Sequence, residues 1–254
     1  MTLNFKKLGE GEPLIILHGV FGSLDNWQSI GKSLAENHTV YLVDQRNHGL
    51  SFHSDEFNYE LMAEDLGELM SGESLNRINI LGHSMGGKTA MYFACSHPKE
   101  VKKLMVIDIA PKKYPPHHKQ IFEGFKSVNL KQVETRKDAE KQMESIISNF
   151  GVRQFILKNL KRQTDGSWEW KLNLAAIEKN AENIGAPLPE DFRFEGETLF
   201  VAGEKSDYIL SSDQPIIRKH FPKAAVETVP EAGHWVHAEK PSELYSLVSQ
   251  FLNA

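Results

Sequence analysis

A serine set between two glycines is the chain's clearest chemical feature: Gly82-His83-Ser84-Met85-Gly86 fits the pattern G-x-S-x-G. A serine hydroxyl becomes a useful nucleophile only where a neighbouring base takes its proton. The pattern alone arises by chance in about one chain of this length in ten, so its setting decides its meaning. Ile78-Asn79-Ile80-Leu81 reads as a strand directly before it, and Gly86-Gly87-Lys88-Thr89-Ala90 opens a helix directly after. That strand-turn-helix context is the one a nucleophile elbow requires. The turn strains the serine backbone and draws neighbouring chain close, which explains side-chain-free positions at 82 and 86. The start of the following helix aims N–H groups and a positive dipole end at the turn, so Met85 N–H is an expected oxyanion donor. The residues Gly82 to Thr89 also satisfy G-x-x-x-x-G-K-[ST], the phosphate-loop pattern, with Lys88 as its lysine. Placement in the third strand-helix unit, and the partners downstream, favour the nucleophile.

The expected base is His234, in Pro230-Glu231-Ala232-Gly233-His234-Trp235 between a strand and the last helix. His237 is a weaker candidate with a supporting role. Two aspartates compete as the acid that orients the imidazole. Asp108 ends an apolar strand, where a carboxylate is costly to bury unless paired. Asp207 lies in the loop after a later strand, where solvation alone accounts for it. Asp108 is therefore preferred, with Asp207 the alternative. His18-Gly19-Val20-Phe21-Gly22 follows the first clear strand, and Val20 N–H is the candidate second oxyanion donor. Phe21 and Trp27 fit a pocket wall and plain core equally well.

These residues need a frame that delivers them to one edge. Short apolar runs at Leu14 to Leu17, Val40 to Val43, Ile78 to Leu81, Leu104 to Ile107 and Leu199 to Ala202 have the form of parallel strands covered on both faces. Helical patterns at Tyr59 to Met70 and Met85 to Ser96 alternate with them, which predicts an α/β fold with a mostly parallel sheet and helices on both faces. Ala225 to Val229 adds a strand, and Leu244, Leu247, Val248, Phe251 and Leu252 form one apolar helical stripe after Pro241. Between Pro111 and Leu199 the alternation stops. Three prolines break the chain there, and Lys131 to Glu144 reads as helix with a solvated face. The expected division is a core of residues 1–111 and 196–254 with an inserted helical cap of residues 112–195. Within it, Asp165 to Trp170 suggests a hairpin turn with two indoles that pack rather than bind.

The bulk numbers leave room for this and exclude other classes. The chain has 254 residues, 40% hydrophobic and 25% charged, as ordinary globular proteins do. A formal charge of -5 and a pI near 6.1 speak against binding nucleic acid. Met1 to Lys7 lacks the apolar run of a signal peptide and no 18-residue apolar stretch occurs, so a soluble cytoplasmic protein without membrane insertion is expected. Cys95, the only cysteine, rules out an intramolecular disulfide and reads as an inert buried thiol. His117-His118 lack a further nearby metal-type ligand and read as surface residues.

Five blocks together resemble the α/β-hydrolase superfamily, and within it a group of bacterial esterases. They are His18 to Asn26, Asp44 to Gly49, Gly82 to Lys88, Asp108 to Pro111 and Gly233 to Pro241. The resemblance spans nearly the whole chain, and the order serine, acid, histidine fits it. It implies hydrolysis of carboxylic esters, extending to thioesters such as acyl-CoA, through an acyl-serine intermediate. It also implies Asp108 as the acid, a structural role for Asp44 to Gly49, and no metal or organic cofactor. The fold hosts other chemistries, so a carbon-carbon bond hydrolase, a lyase of menaquinone synthesis and a non-catalytic ligand receptor stand as alternatives. The first two act on acidic substrates and would want cap arginines, for which Arg136, Arg153 and Arg162 are available.

Overall fold

Residues 2–116 and 118–254 are described in the computed structural model. Along the first half run β1 (Phe5–Leu8), β2 (Glu12–Leu17), α1 (Gln28–Leu34), β3 (His38–Val43), α2 (Tyr59–Gly72), β4 (Ile78–His83), α3 (Met85–Ser96) and β5 (Val101–Ile107). A helical segment follows, with α4 (Lys119–Ser127), α5 (Arg136–Met143), α6 (Phe150–Leu157), the hairpin β6 (Leu160–Arg162) and β7 (Trp168–Trp170), α7 (Leu174–Lys179) and α8 (Ala181–Ile184). The chain closes with β8 (Glu197–Gly203), α9 (Gln214–His220), β9 (Ala224–Val229), α10 (Val236–Glu239) and α11 (Pro241–Asn253). Among the described residues, seven strands form one sheet in the order β1-β3-β2-β4-β5-β8-β9. All neighbours are parallel except β1, which pairs antiparallel with β3.

Successive side chains of a strand point to opposite faces, and here both faces are apolar because both are covered. Ile15, Leu17, Tyr41, Val43, Leu104 and Val106 face one way, against α2 and α3 through Ala63, Leu66, Met91 and Phe93. Leu14, Ile16, Val40, Leu42, Met105 and Ile107 face the other, against α1 and α11 through Ile30, Leu34, Leu244 and Val248. The six expected strands and three expected helices of this frame are all present, α3 with the expected bounds and most of the others longer by one to a few residues. The exception is β1, whose Phe5-Lys6-Lys7-Leu8 carries too little apolar periodicity to be read as a strand. As an edge strand it covers one side only, and lysines suit an edge that must not recruit another chain.

The segment between β5 and β8 contributes nothing to the large sheet and packs its own apolar cluster, including Phe125, Met143, Ile156 and Ile177, onto Val20, Phe21 and Met85. Within the polar stretch Lys131 to Glu144, α5 is started by Thr135, which accepts from Asp138 N–H while Asp138 accepts from Thr135 N–H. The two-indole hairpin is β6-β7, and Trp170 packs edge-on against Phe125 at 4.8 Å. Parallel topology brings the ends of β2, β4, β5, β8 and β9 to a single edge, where an open α/β sheet carries its ligand site. No helix among the described residues is long and apolar enough to cross a membrane.

Candidate active site

Ser84 leaves β4 with φ 52° and ψ −119°, a conformation that L-residues avoid, and α3 begins at the next residue. The glycines around it are there for space. A Cβ on Gly82 would stand 2.2 Å from the Gly86 carbonyl oxygen, and one on Gly86 would stand 2.5 Å from that of Leu17. The phosphate-loop alternative fails on the position of its lysine. Lys88 is fully buried and donates to the main-chain carbonyls of Lys112, at 2.6 Å, and Ala186, so its ammonium faces neither the turn nor solvent. Burial, reinforced by the nearby Lys112 charge, pushes it down to about 7.

Three side chains from separate strand ends meet above the turn. His234 Nε2 lies 3.1 Å from Ser84 Oγ, and His234 Nδ1 lies 2.8 Å from Asp108 Oδ2. Asp108, fully buried, also has a positive φ of 51°. Gly203 N–H donates to its Oδ1 at 3.0 Å and Ser206 Oγ donates to its Oδ2, so both carboxylate oxygens are occupied. Asp207, one residue beyond Ser206, is exposed, and the two ring nitrogens of His234 bond to Asp108 and Ser84 rather than to it. Ser206, which nothing in the sequence spacing marks, supports the acid from beside the exposed Asp207.

The imidazole of His234 is confined on both sides. Tyr208 stacks on it at 3.8 Å, and His83 lies at 4.8 Å while donating Nε2–H to the His234 carbonyl at 2.8 Å. His237 stacks on Trp27 at 4.6 Å and touches His83, so it backs the site from behind. Burial, assisted by the His234 charge, lowers His237 to about 3 and His83 well below its usual value, which keeps both neutral.

Val20 and Met85 amides flank Ser84, and neither has a protein acceptor among the described residues. The Val20 loop is held by three independent bonds. Gly22 N–H donates to Gly19 O at 3.0 Å, Phe21 N–H donates to His48 Nε2 at 3.2 Å, and Asn159 Nδ2 donates to Phe21 O at 2.7 Å. Phe21 sits at φ 61° under these constraints. His48 accepts because its Nδ1–H is committed to Arg46 O at 2.9 Å, and burial lowers it to about 3. The Asp44 to Gly49 block is therefore scaffolding: Arg46 forms a two-pronged buried pair with Asp65 at 2.5 and 2.8 Å, and Asp44 holds Leu24 N–H at 2.8 Å and Leu50 N–H at 3.0 Å.

Two recesses adjoin Ser84. The larger has about 230 Å³ of free space and is walled by Phe21, Trp27, Ile121, Phe155 and Trp235, so Phe21 and Trp27 are both core and wall. The smaller has about 20 Å³ between Tyr59, Met85, Ile109, Tyr114 and Ile184. His118 borders both, edge-on to Phe21 at 5.4 Å, rather than standing on the surface. His117 lies outside the described residues. Arg136, Arg153 and Arg162 border neither recess; Arg153 is buried on Glu140 and on the carbonyls of Ile147 and Ser148, and Arg136 holds Leu160 O at 2.7 Å. Cys95 is half-buried, with its thiol pushed up to about 12 by burial. Among the described residues no three His, Cys, Asp or Glu side chains gather as metal ligands would.

The family described as the alpha/beta hydrolase fold matches residues 12–241. The chain is 40% identical, over 98% of its own length and 80% of the other's, to a zebrafish (Danio rerio) protein named sn-1-specific diacylglycerol lipase ABHD11. It is 34% identical to esterase YbfF of Escherichia coli, over 95% of this chain and 92% of that one. A solved marine microorganism esterase superposes with a TM-score of 0.96 at 48% identity, covering 98% of this chain and 99% of its own.

Proposed function

The chain belongs to the alpha/beta hydrolase family, and from that premise we propose that it hydrolyses carboxylic esters through an acyl-serine intermediate, with Ser84 as nucleophile, His234 as base and Asp108 as the orienting acid. The observation that carries this reading is the continuous hydrogen-bonded line from Asp108 through His234 to Ser84, at 2.8 and 3.1 Å. Relatives named as esterases and a lipase, at 34 to 48% identity over most of both chains, support the substrate class.

In this mechanism His234 Nε2 takes the Ser84 proton as Oγ attacks the ester carbonyl carbon, and the carbonyl electron pair moves onto oxygen. Val20 and Met85 N–H groups receive that oxyanion, aided by the positive end of α3. Loss of one such donor costs about 2.7 to 4 kcal/mol in comparable sites. Collapse expels the alcohol with the proton from His234, and a water activated by the same nitrogen then releases the acid. Asp108 stabilises the imidazolium and keeps Nδ1 protonated throughout. Thioesters such as acyl-CoA would follow the same steps with a thiol leaving. Residues 112–195 serve in this reading as a cap over a core of 1–111 and 196–254, supplying Ile121 and Phe155 to the larger recess.

Rivals that bind acidic substrates want cationic groups near the nucleophile, and none of the three candidate arginines borders either recess at Ser84. The direct test is Ser84→Ala. Hydrolysis of p-nitrophenyl acetate should fall to the uncatalysed rate, and labelling by a fluorophosphonate probe should vanish. Labelling that survives in the variant sinks the assignment, and a wild type that stabilises on ligand binding without turning over any ester or acyl-CoA points to a receptor.

A further inference from the structure

The two recesses at Ser84 are unequal, and their relation to His234 fixes which end of an ester each would receive. Resting on the proposed ester hydrolysis, we infer that the preferred substrates join a short acid, of acetyl or propionyl size, to a long and largely apolar alcohol.

The argument starts from the proton. His234 Nε2 must reach the leaving oxygen to protonate it, within hydrogen-bond distance. The alcohol portion therefore extends on the side that His234 itself lines. His234, with Trp235 and His237 beside it, borders the larger recess and not the smaller one. The acyl substituent, on the opposite side of the carbonyl carbon, is directed to the recess under Met85, Ile109 and Ile184. A single water needs about 10 to 15 Å³ of such space. The acyl recess, at about 20 Å³, therefore has room for one or two carbons, whereas the alcohol recess has about 230 Å³.

The alcohol side also continues outward. Phe155 of α6 and Trp235 stand 5.7 Å apart and border both the larger recess and a further cavity of about 500 Å³ between α6 and α10. The inner recess is mostly apolar, its polar lining being the histidines, Ser84, Asn26 and Tyr208, while the outer one adds Asn149, Gln154, Lys158 and Glu239. An alcohol with an apolar stem and a polar far end matches that sequence of walls, with the stem lying along the packed ring pair of Phe155 and Trp235. The acyl side is instead narrowed by two fixed tyrosines, Tyr59 donating to Ile184 O at 2.5 Å and Tyr114 to Tyr208 O at 2.5 Å.

Two substrate series separate the ends: p-nitrophenyl acetate, butyrate and octanoate vary the acid, and ethyl, hexyl and decyl acetate vary the alcohol. The expected kcat/KM falls by about tenfold or more along the first series and rises by about tenfold or more along the second, since each buried methylene is worth up to about fourfold. Ile184→Ala should raise the octanoate-to-acetate ratio by about fivefold or more, and Phe155→Trp should lower the decyl-to-ethyl ratio by a similar factor. Octanoate preferred over acetate, or indifference to alcohol length, overturns the orientation. Titration with a fluorophosphonate keeps the two questions apart. Stoichiometric labelling of Ser84 with reversed preferences defeats only this inference, whereas a wild type that neither labels nor turns over defeats the ester hydrolase reading and this inference with it.

Discussion

At the scale of single residues, the two aspartates give the sharpest contrast. Asp108→Asn keeps the shape of the buried carboxylate but presents an amide to His234 Nδ1, which favours the wrong tautomer. A fall in kcat of roughly 10⁴ is expected, with folding retained. Asp207→Asn, on an exposed side chain, should change turnover by less than about twofold. Steady-state hydrolysis of p-nitrophenyl acetate by both variants decides it; equal losses would refute the assignment. The cluster was legible because each member occupies a position the chain itself marks: a glycine-flanked turn for Ser84, the end of an apolar strand for Asp108, and a glycine-preceded loop for His234. Ser206 and Asn159 were not legible. Their contacts, to Asp108 and to Phe21 O, depend on how distant segments meet, and no local pattern records that.

At the scale of elements, the tight crossing of β2 and the start of α3 is what permits the turn at Ser84. Gly86→Ala would drive a methyl to 2.5 Å from Leu17 O, against backbone that cannot retreat without moving β2. We expect a loss of about 1 to 3 kcal/mol of stability together with most of the activity, read from urea midpoints and turnover; an unaffected variant would show that the crossing has slack. The join between α6 and β6 carries a milder prediction. Asn159→Ala releases Phe21 O and lets the Val20 amide wander, so kcat should drop by about tenfold while KM stays near the wild-type value. A kcat within twofold of wild type would mean that His48 and the Gly19 turn suffice. The central strands could be read from sequence because burial on both faces leaves continuous apolar runs. The edge strand β1 and the short helices α7 and α8 could not, since half-exposed elements of this length carry little periodicity and take their form from what they pack on.

At the scale of the whole molecule, four buried histidines tie stability to pH. His18 is held at about 4, His48 and His237 at about 3, and His83 well below its usual value, burial being the main cause in each. In the unfolded chain each would titrate near 6.5. Well above that pH all are neutral in both states, and the stability they permit is fully present. As pH falls toward 6.5 and below, the unfolded chain takes up protons that the folded one refuses, at up to about 1.4 kcal/mol per pH unit for each histidine. Urea midpoints should thus fall gradually from about pH 7.5 to 6.5, where the unfolded histidines begin to take up protons, and drop steeply from about pH 6 to 5, earlier than carboxylate titration would cause; a level midpoint down to pH 5 would contradict this. The grip of Lys88 has a different reach. Its two acceptors, Lys112 O and Ala186 O, belong to the main chain at the two roots of the helical segment, so the hold is blind to every side chain between them. A replacement segment whose roots follow the same backbone path would keep this pair of bonds whatever its side chains, while the Asn159 bond and the packing on Phe21 would have to be built anew.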